Sequence, residues 1–343
     1  MLDIPRLERI RIKRWPWFQD LMAWSLEPNI HFFPGVKIEF EHWDRVPDAP
    51  VIFAMNHTDR FNYLPFQMRL RREMRRYTAT WVKGKYYENY WVGKVLELAN
   101  QLPTVSRGYL ITRDFMSAVG RTPRDDEYRS LRGWVDAVAV AEAGARSPLE
   151  GGRGEPAGEI EKLPPVLFSE PRNVLGYAFD PERENYASYI NAVFGEMMGL
   201  FVELNRQVFE VGLDMLIFPE GTRSVRLSKG HIGLGEAVLA FQQTVVPVGC
   251  NGSDLLYPGS LPLARSGRVV YRFGEPIPYE AFSRFHIHEP FEPFTPRAEH
   301  VHRDAFQGVV DQVMERINGL LDEPYRFGDE PGAGDVRGSD RFV

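Results

Sequence analysis

Val51-Ile52-Phe53-Ala54-Met55-Asn56-His57-Thr58-Asp59-Arg60-Phe61-Asn62 is the stretch on which the reading of this chain turns. Five apolar residues in succession suit a strand buried on both faces, as in the centre of a parallel sheet. The run stops at Asn56-His57, so an imidazole stands where a buried strand ends. A helix is expected after it. Pro65 is tolerated in a first turn, and Leu64 to Arg76 carries no breaker beyond it.

Upstream, Val36, Ile38 and Phe40 alternate with Lys37, Glu39 and Glu41, the pattern of a half-buried strand. Downstream, Tyr77 to Val82, Met215 to Phe218, Val245 to Val248 and Val269 to Phe273 read as strands. So does Val105 to Arg113, with Gly108 inside it. Tyr186, Tyr189, Ile190, Val193, Phe194, Met197 and Phe201 recur at three- and four-residue steps and predict a long helix ending before Gly212. Gly235 to Gln242 and about Arg297 to Leu321 read as further helices. Alternating strands and helices predict a single α/β domain with a mixed, mostly parallel central sheet flanked by helices. An N-terminal interfacial helical segment precedes it.

The expected divisions are an amphipathic, aromatic segment at 1–35, a main domain at 36–280 with an insertion at about 115–210, a helical extension at 281–325 and a loose tail at 326–343. Within the insertion, Gly144 to Pro171 is rich in Gly, Pro and Glu without a sustained period, so it reads as exposed and partly disordered. The N-terminal segment sets Arg6, Arg9, Arg11, Lys13 and Arg14 before Trp15, Trp17, Phe18, Leu21, Met22 and Trp24. That mixture suits a lipid interface. It equally suits a helix packed on the domain, and Pro16 interrupts any long amphipathic face.

The composition, 43% hydrophobic and 26% charged over 343 residues, is that of a folded chain. A net charge of −6 argues against general attraction to nucleic acid. The single cysteine, Cys250, makes neither an internal disulfide nor a cysteine-cluster zinc site, and fits a reducing compartment. The chain starts charged, no apolar signal core follows, and no apolar run is long enough to span a bilayer. The expectation is a cytoplasmic protein lying peripherally on the inner face of a membrane.

Two segments carry reactive groups at strand ends. A histidine at the end of a buried strand is well placed as a general base, given a partner on its other ring nitrogen. Asp59 and Asn62 are near in sequence, and a purely structural His57 is the competing reading. Phe218-Pro219-Glu220-Gly221-Thr222-Arg223-Ser224 joins a glycine that lets backbone approach a ligand, a guanidinium fork suited to phosphate, and two hydroxyls. A plain strand-to-helix turn with a surface arginine would look the same.

Together the two segments resemble the glycerolipid acyltransferase family, which includes the lysophosphatidic acid acyltransferases. The Phe-Pro-Glu-Gly-Thr-Arg-Ser block is complete at Phe218 to Ser224. The Asn-His-x-x-x-x-Asp block is matched at Asn56-His57 and ends instead on Asn62. Gly108 to Arg113 is similar to the family's Gly-x-x-x-x-Arg block, and Val246-Pro247-Val248 to its Val-Pro-Val strand. The resemblance covers roughly residues 36 to 278, with a longer gap between Arg113 and Phe218 than the family usually has.

The resemblance implies transfer of a fatty acyl group from an acyl thioester, acyl-CoA or acyl carrier protein, to a hydroxyl of a phosphate-bearing glycerolipid such as 1-acylglycerol-3-phosphate. His57 would be the base. Gly108, Arg113, Glu220, Gly221, Thr222 and Arg223 would bind the acceptor at a membrane surface. No metal and no tightly bound cofactor are implied. Asn62 can orient the imidazole but supplies no charge, so Asp59 becomes an alternative partner, and a catalytically silent lipid-binding relative an alternative function. Arg69, Arg71, Arg72, Arg75 and Arg76 read as a solvated helix face, or as a surface for anionic lipid or an acyl carrier protein. The pairs His286/His288 and His300/His302 lack the companions of a metal site. No Gly-x-Ser-x-Gly elbow is present, which disfavours an ester hydrolase.

Overall fold

The structure is a computed structural model, and it describes residues 1–31, 35–144, 162–328, 339 and 342. In chain order the first elements are α1 (Ile4–Arg9), α2 (Trp17–His31), β1 (Val36–Glu41), β2 (Ile52–Met55), α3 (Leu64–Met74), β3 (Thr78–Lys83), α4 (Tyr90–Leu98) and β4 (Gln101–Thr104). They continue with α5 (Arg107–Val119), α6 (Asp125–Glu142), α7 (Val166–Ser169), α8 (Tyr186–Glu210), β5 (Asp214–Ile217), α9 (Gly233–Phe241), β6 (Val245–Asn251), α10 (Ser253–Leu256), β7 (Gly267–Phe273) and α11 (Pro296–Leu320).

Among the described residues seven strands form one sheet in the order β1-β7-β6-β2-β5-β3-β4. Every pairing is parallel except β6 with β7. The protein is therefore an α/β fold with a mixed, mostly parallel sheet. β2 and β5 lie at its centre and are buried throughout, which explains their unbroken apolar runs. Their starts are joined by Asp214, whose carboxylate accepts from Val51 N at 2.9 Å and from the Arg76 guanidinium. Burial raises that carboxyl to about 6.

Helices cover both faces. One core lies under α5, α6, α8, α9 and α11, and a second lies under α3 and the Trp43 turn. α8 contributes Tyr189, Ile190, Val193, Met197, Phe201 and Val208 to the first core, as its spacing predicts, and Gly212 follows it at φ +80°. The expected insertion at about 115–210 holds α6, α7 and α8. Its Gly- and Pro-rich part lies largely outside the described residues, at 145–161.

Val105 to Arg113 is not a strand. Ser106 caps a helix there, its Oγ accepting from Tyr109 N, and Gly120 at φ +77° closes it. The strand of this region is the short, proline-bearing β4, at the sheet edge where a missing amide is tolerated. Pro16 separates α1 from α2. α1 buries Ile4 and Leu7 in the core, whereas α2 leaves Trp17, Leu21 and Trp24 exposed. The reading as a helix packed on the domain thus holds for α1. In the tail expected to be loose, positions 339 and 342 are packed: Ser339 Oγ donates to Pro123 O, and the Phe342 ring lies against Tyr128.

Candidate functional site

β2, β5 and β3 are neighbours and run parallel, so their C-terminal ends all reach the same edge of the sheet. His57 lies just beyond β2, the Phe218 to Ser224 turn lies just beyond β5, and Lys83 ends β3. In an open α/β sheet this carboxyl edge is where ligands bind. The first two turns are tied together directly. His57 N donates to Glu220 Oε1 at 2.9 Å, and Ser224 N donates to His57 O at 2.9 Å.

The imidazole is fixed on several sides. Its ring stacks on Phe218 at 4.1 Å between centroids. Its Nδ1 lies 3.3 Å from Asn62 Oδ1. Asn62 is itself buried: its Nδ2 donates to Asn56 O at 2.7 Å, and its own backbone carbonyl accepts from Tyr271 OH at 2.7 Å. Because the Nδ2 end is spent on a carbonyl, the end facing the ring is an acceptor. His57 therefore carries its proton on Nδ1, which leaves Nε2 as the basic nitrogen. Burial lowers the imidazole to about 4, and the nearby Arg223 and Lys83 charges act in the same direction.

Asp59 is not the partner. Its carboxylate accepts from Phe61 N at 2.8 Å and Thr58 Oγ1 at 2.9 Å, forming a local turn. Nor does it cap α3, where the capping position is Tyr63. Asn56 has a role its sequence position did not suggest. Its amide exchanges hydrogen bonds with the Cys250 backbone, at 2.9 and 2.7 Å, pinning the end of β2 to β6.

His57 and Arg223 open into one cleft of about 430 Å³. Gly221 and Thr222 also line it, with Arg60, Tyr63, Thr80, Lys83, Val92 and Phe218. Three cations thus face the cleft, and among the described residues no carboxylate lines it. Arg60 and Arg223 have no ion-pair partner among the described residues. Such a cavity favours a phosphate or another anion. Thr80 Oγ1 is buried at the cleft wall and has no hydrogen-bond partner among the described residues.

Comparison with known proteins yields little beyond this. No family model matches the chain, and no curated protein matches it. Among solved structures, the 1-acyl-sn-glycerophosphate (LPA) acyltransferase PlsC from Thermotoga maritima is similar, at 13% sequence identity and a TM-score of 0.37, over 92% of this chain and 78% of that one. An overlap that loose carries no residue from one chain to the other.

Two of the expected binding residues are elsewhere. Gly108 is in the first turn of α5, where a Cβ would meet Tyr128 and the Phe342 ring. Arg113, further along α5, donates to Phe342 O at 2.9 Å and pairs with Glu88 at 3.3 Å. Neither lines the cleft. A strand at Val105 to Arg113 would have ended Arg113 at the carboxyl edge; the helix carries it away instead.

Glu220 also stands behind the cleft wall. It accepts from His57 N, Ser228 N and Ser228 Oγ, and burial raises its carboxyl to about 7. It braces the turn and does not line the cavity. Gly221 adopts φ +64°, and a Cβ there would lie 2.9 Å from the His231 ring. Arg60 and Thr80 carry no signal in the sequence. Arg60 sits within the histidine block, but nothing in its spacing distinguishes it from a surface cation.

Proposed function

We propose that this protein is an acyltransferase, moving a fatty acyl group from a thioester to a hydroxyl of a phosphate-bearing glycerolipid. One observation carries the reading: a neutral imidazole with its basic nitrogen defined shares a cleft with three cations and, among the described residues, no carboxylate. An anionic acceptor would be held there with its hydroxyl beside a base.

In the proposed step, His57 Nε2 takes the proton of the acceptor hydroxyl as its oxygen attacks the thioester carbonyl. The tetrahedral intermediate collapses with loss of the C–S bond, and the departing thiolate recovers the proton from the imidazolium. Arg223, Arg60 and Lys83 would hold the acceptor phosphate, with Thr222 as a neutral donor. Asn62 keeps the proton on Nδ1 in the resting state and accepts from it as the ring becomes charged. The donor would be acyl-CoA or an acyl carrier protein.

A second reading is a lipid-binding protein without catalysis. It is favoured by the same Asn62, because an amide leaves the imidazolium without a neighbouring negative charge. Purified protein given radiolabelled 1-acylglycerol-3-phosphate and acyl-CoA separates the two. Label in a diacyl product, lost in His57→Ala, supports the first. Acceptor binding without product supports the second.

A further inference from the structure

β3 carries two buried threonines on one face, Thr78 and Thr80. Thr78 Oγ1 accepts from Gln67 Nε2 of α3. Thr80 is only 4% exposed, yet its Oγ1 has no hydrogen-bond partner among the described residues. A buried hydroxyl left unpaired costs stability, and few native polar groups are left so. Valine would fill the same space without that cost, so the hydroxyl calls for a partner from outside the chain.

Thr80 pairs in register with Gln101 of β4, so the two side chains leave the sheet on one face. Gln101 is held by its Nε2, which donates to Ala99 O at 2.9 Å. Both residues line the His57 cleft, in a wall that is otherwise apolar: Trp81, Val82, Val92 and Leu96. Tyr63, Leu96 and Gln101 also line a smaller chamber with Phe18, Met22 and Met68. The cleft thus has a cationic end at Arg60, Lys83 and Arg223, and an apolar arm with one hydroxyl and one amide in its wall. Thr80 is level with Leu216 and, through it, with Phe53, which precedes His57 by four residues. Two strand spacings also separate β3 from β2, so Thr80 stands on the order of 10 to 15 Å from the imidazole.

We propose that Thr80, with Gln101, is a specificity-determining residue that hydrogen-bonds a hydroxyl carried partway along a fatty acyl chain lying in this arm. The chain follows from the acyl-transfer reading, on which this assignment rests; its hydroxyl does not. A hydroxyl both donates and accepts, as Thr80 does, and in an apolar wall each group would go unpaired without the other. A plain chain leaves Thr80 unsatisfied, which sets the two kinds of chain apart. The separation from His57 puts the substituent well along the chain, away from the carbonyl.

Full-length protein is titrated calorimetrically with two carriers. One is a set of thioether analogues of octadecanoyl-CoA whose chain is plain, 3-hydroxylated or 12-hydroxylated. The other is 1-acylglycerol-3-phosphate with the plain or the 12-hydroxy chain. Neither turns over alone. The 12-hydroxy chain is expected to bind about tenfold tighter than the plain one, on whichever carrier places its chain in the arm. Thr80→Val is expected to remove that preference and leave plain-chain affinity unchanged, and Thr80→Ser to keep it. Ligand-free Thr80→Val should have a Tm no lower than wild type, since no partner is lost. A lowered Tm would give the hydroxyl a structural partner and overturn the assignment. Equal affinities for plain and 12-hydroxy chains on both carriers would overturn it too, as would a preference for the 3-hydroxy chain, a preference that survives Thr80→Val, or no binding of either carrier. Acyl transfer is read apart. A Thr80-dependent preference without diacyl product removes the catalysis and keeps the subsite, and product with equal affinities does the opposite.

Discussion

The turns after β2 and β5 and the helix after β4 carry the three charged motifs of this chain, and they end in different places. The first two come directly after adjacent central strands and are stitched together through Glu220 and Ser224, so His57 and Arg223 share a cleft. The third comes after an edge strand. Its arginine lies well along α5, where it meets Glu88 and Phe342 near the C-terminus. A motif's chemistry is thus delivered by the strand before it. A residue within a few positions of a central strand end has nowhere to go but the carboxyl edge, whereas a residue two turns into a helix goes where the helix packs.

The contrast between the two regions should be widest at His57. His57→Ala is expected to lower kcat/KM for acyl transfer by about three orders of magnitude, the scale of a lost general base. Next in size is Arg223→Ala. It removes a charged donor from a cleft lined by cations, and should raise KM for the phosphate acceptor by about 10- to 100-fold, with a smaller effect on kcat. The two turns also predict a pH signature. A base works only when deprotonated, and burial holds His57 near 4 rather than 6.5, so the acid limb of kcat/KM is expected near pH 4. Arg223→Ala removes a positive neighbour and should move that limb upward. A limb that stays at 6.5 in wild type would mean a solvated ring and an open turn.

Much of the central sheet was legible because burial on both faces leaves unbroken apolar runs. β2, β5 and β6 are all of this kind. The edge was not. Gln101-Leu102-Pro103-Thr104 has neither alternation nor an apolar run, and its pairing on one side only needs neither. Tyr109, Ile111 and Arg113 imitate strand alternation, and only the cap at Ser106 and the terminal Gly120 mark the helix. α6 was likewise unread, although Leu131, Trp134, Val135 and Ala139 keep helical spacing after an acidic first turn. The site was legible as two separate turns. Their meeting was not, since Glu220 and His57 are 163 residues apart and only the strand order places β2 beside β5.

Asn62 probes the first turn from within. The resemblance suggests that an aspartate here would improve the base. The hydrogen bonds argue otherwise, because Nδ2 donates to Asn56 O at 2.7 Å and a carboxylate oxygen would face that carbonyl instead. Asn62→Asp is expected to cost about 1 to 3 kcal/mol in stability, the scale of an unsatisfied buried polar group, seen as a lower Tm. Its kcat/KM should not exceed wild type, since the gain from a charged partner is offset by a displaced ring. A fully active, fully stable Asn62→Asp protein would show that the Asn56 carbonyl can turn away.

The smallest expected effect is at Arg113, and it tests the contrast from the other side. Its partners are Glu88, the Tyr109 ring and Phe342 O, all outside the cleft. Arg113→Gln should lower the Tm slightly, by about 1 kcal/mol or less in stability, as for a partly exposed ion pair. Acceptor KM should stay within about twofold, because no phosphate held between Arg60 and Arg223 need touch α5. If Arg113→Gln raised acceptor KM as much as Arg223→Ala, then α5 must present this arginine to bound substrate. The Phe342 contact would then be one that substrate displaces, and helix position would not separate the third motif from the other two.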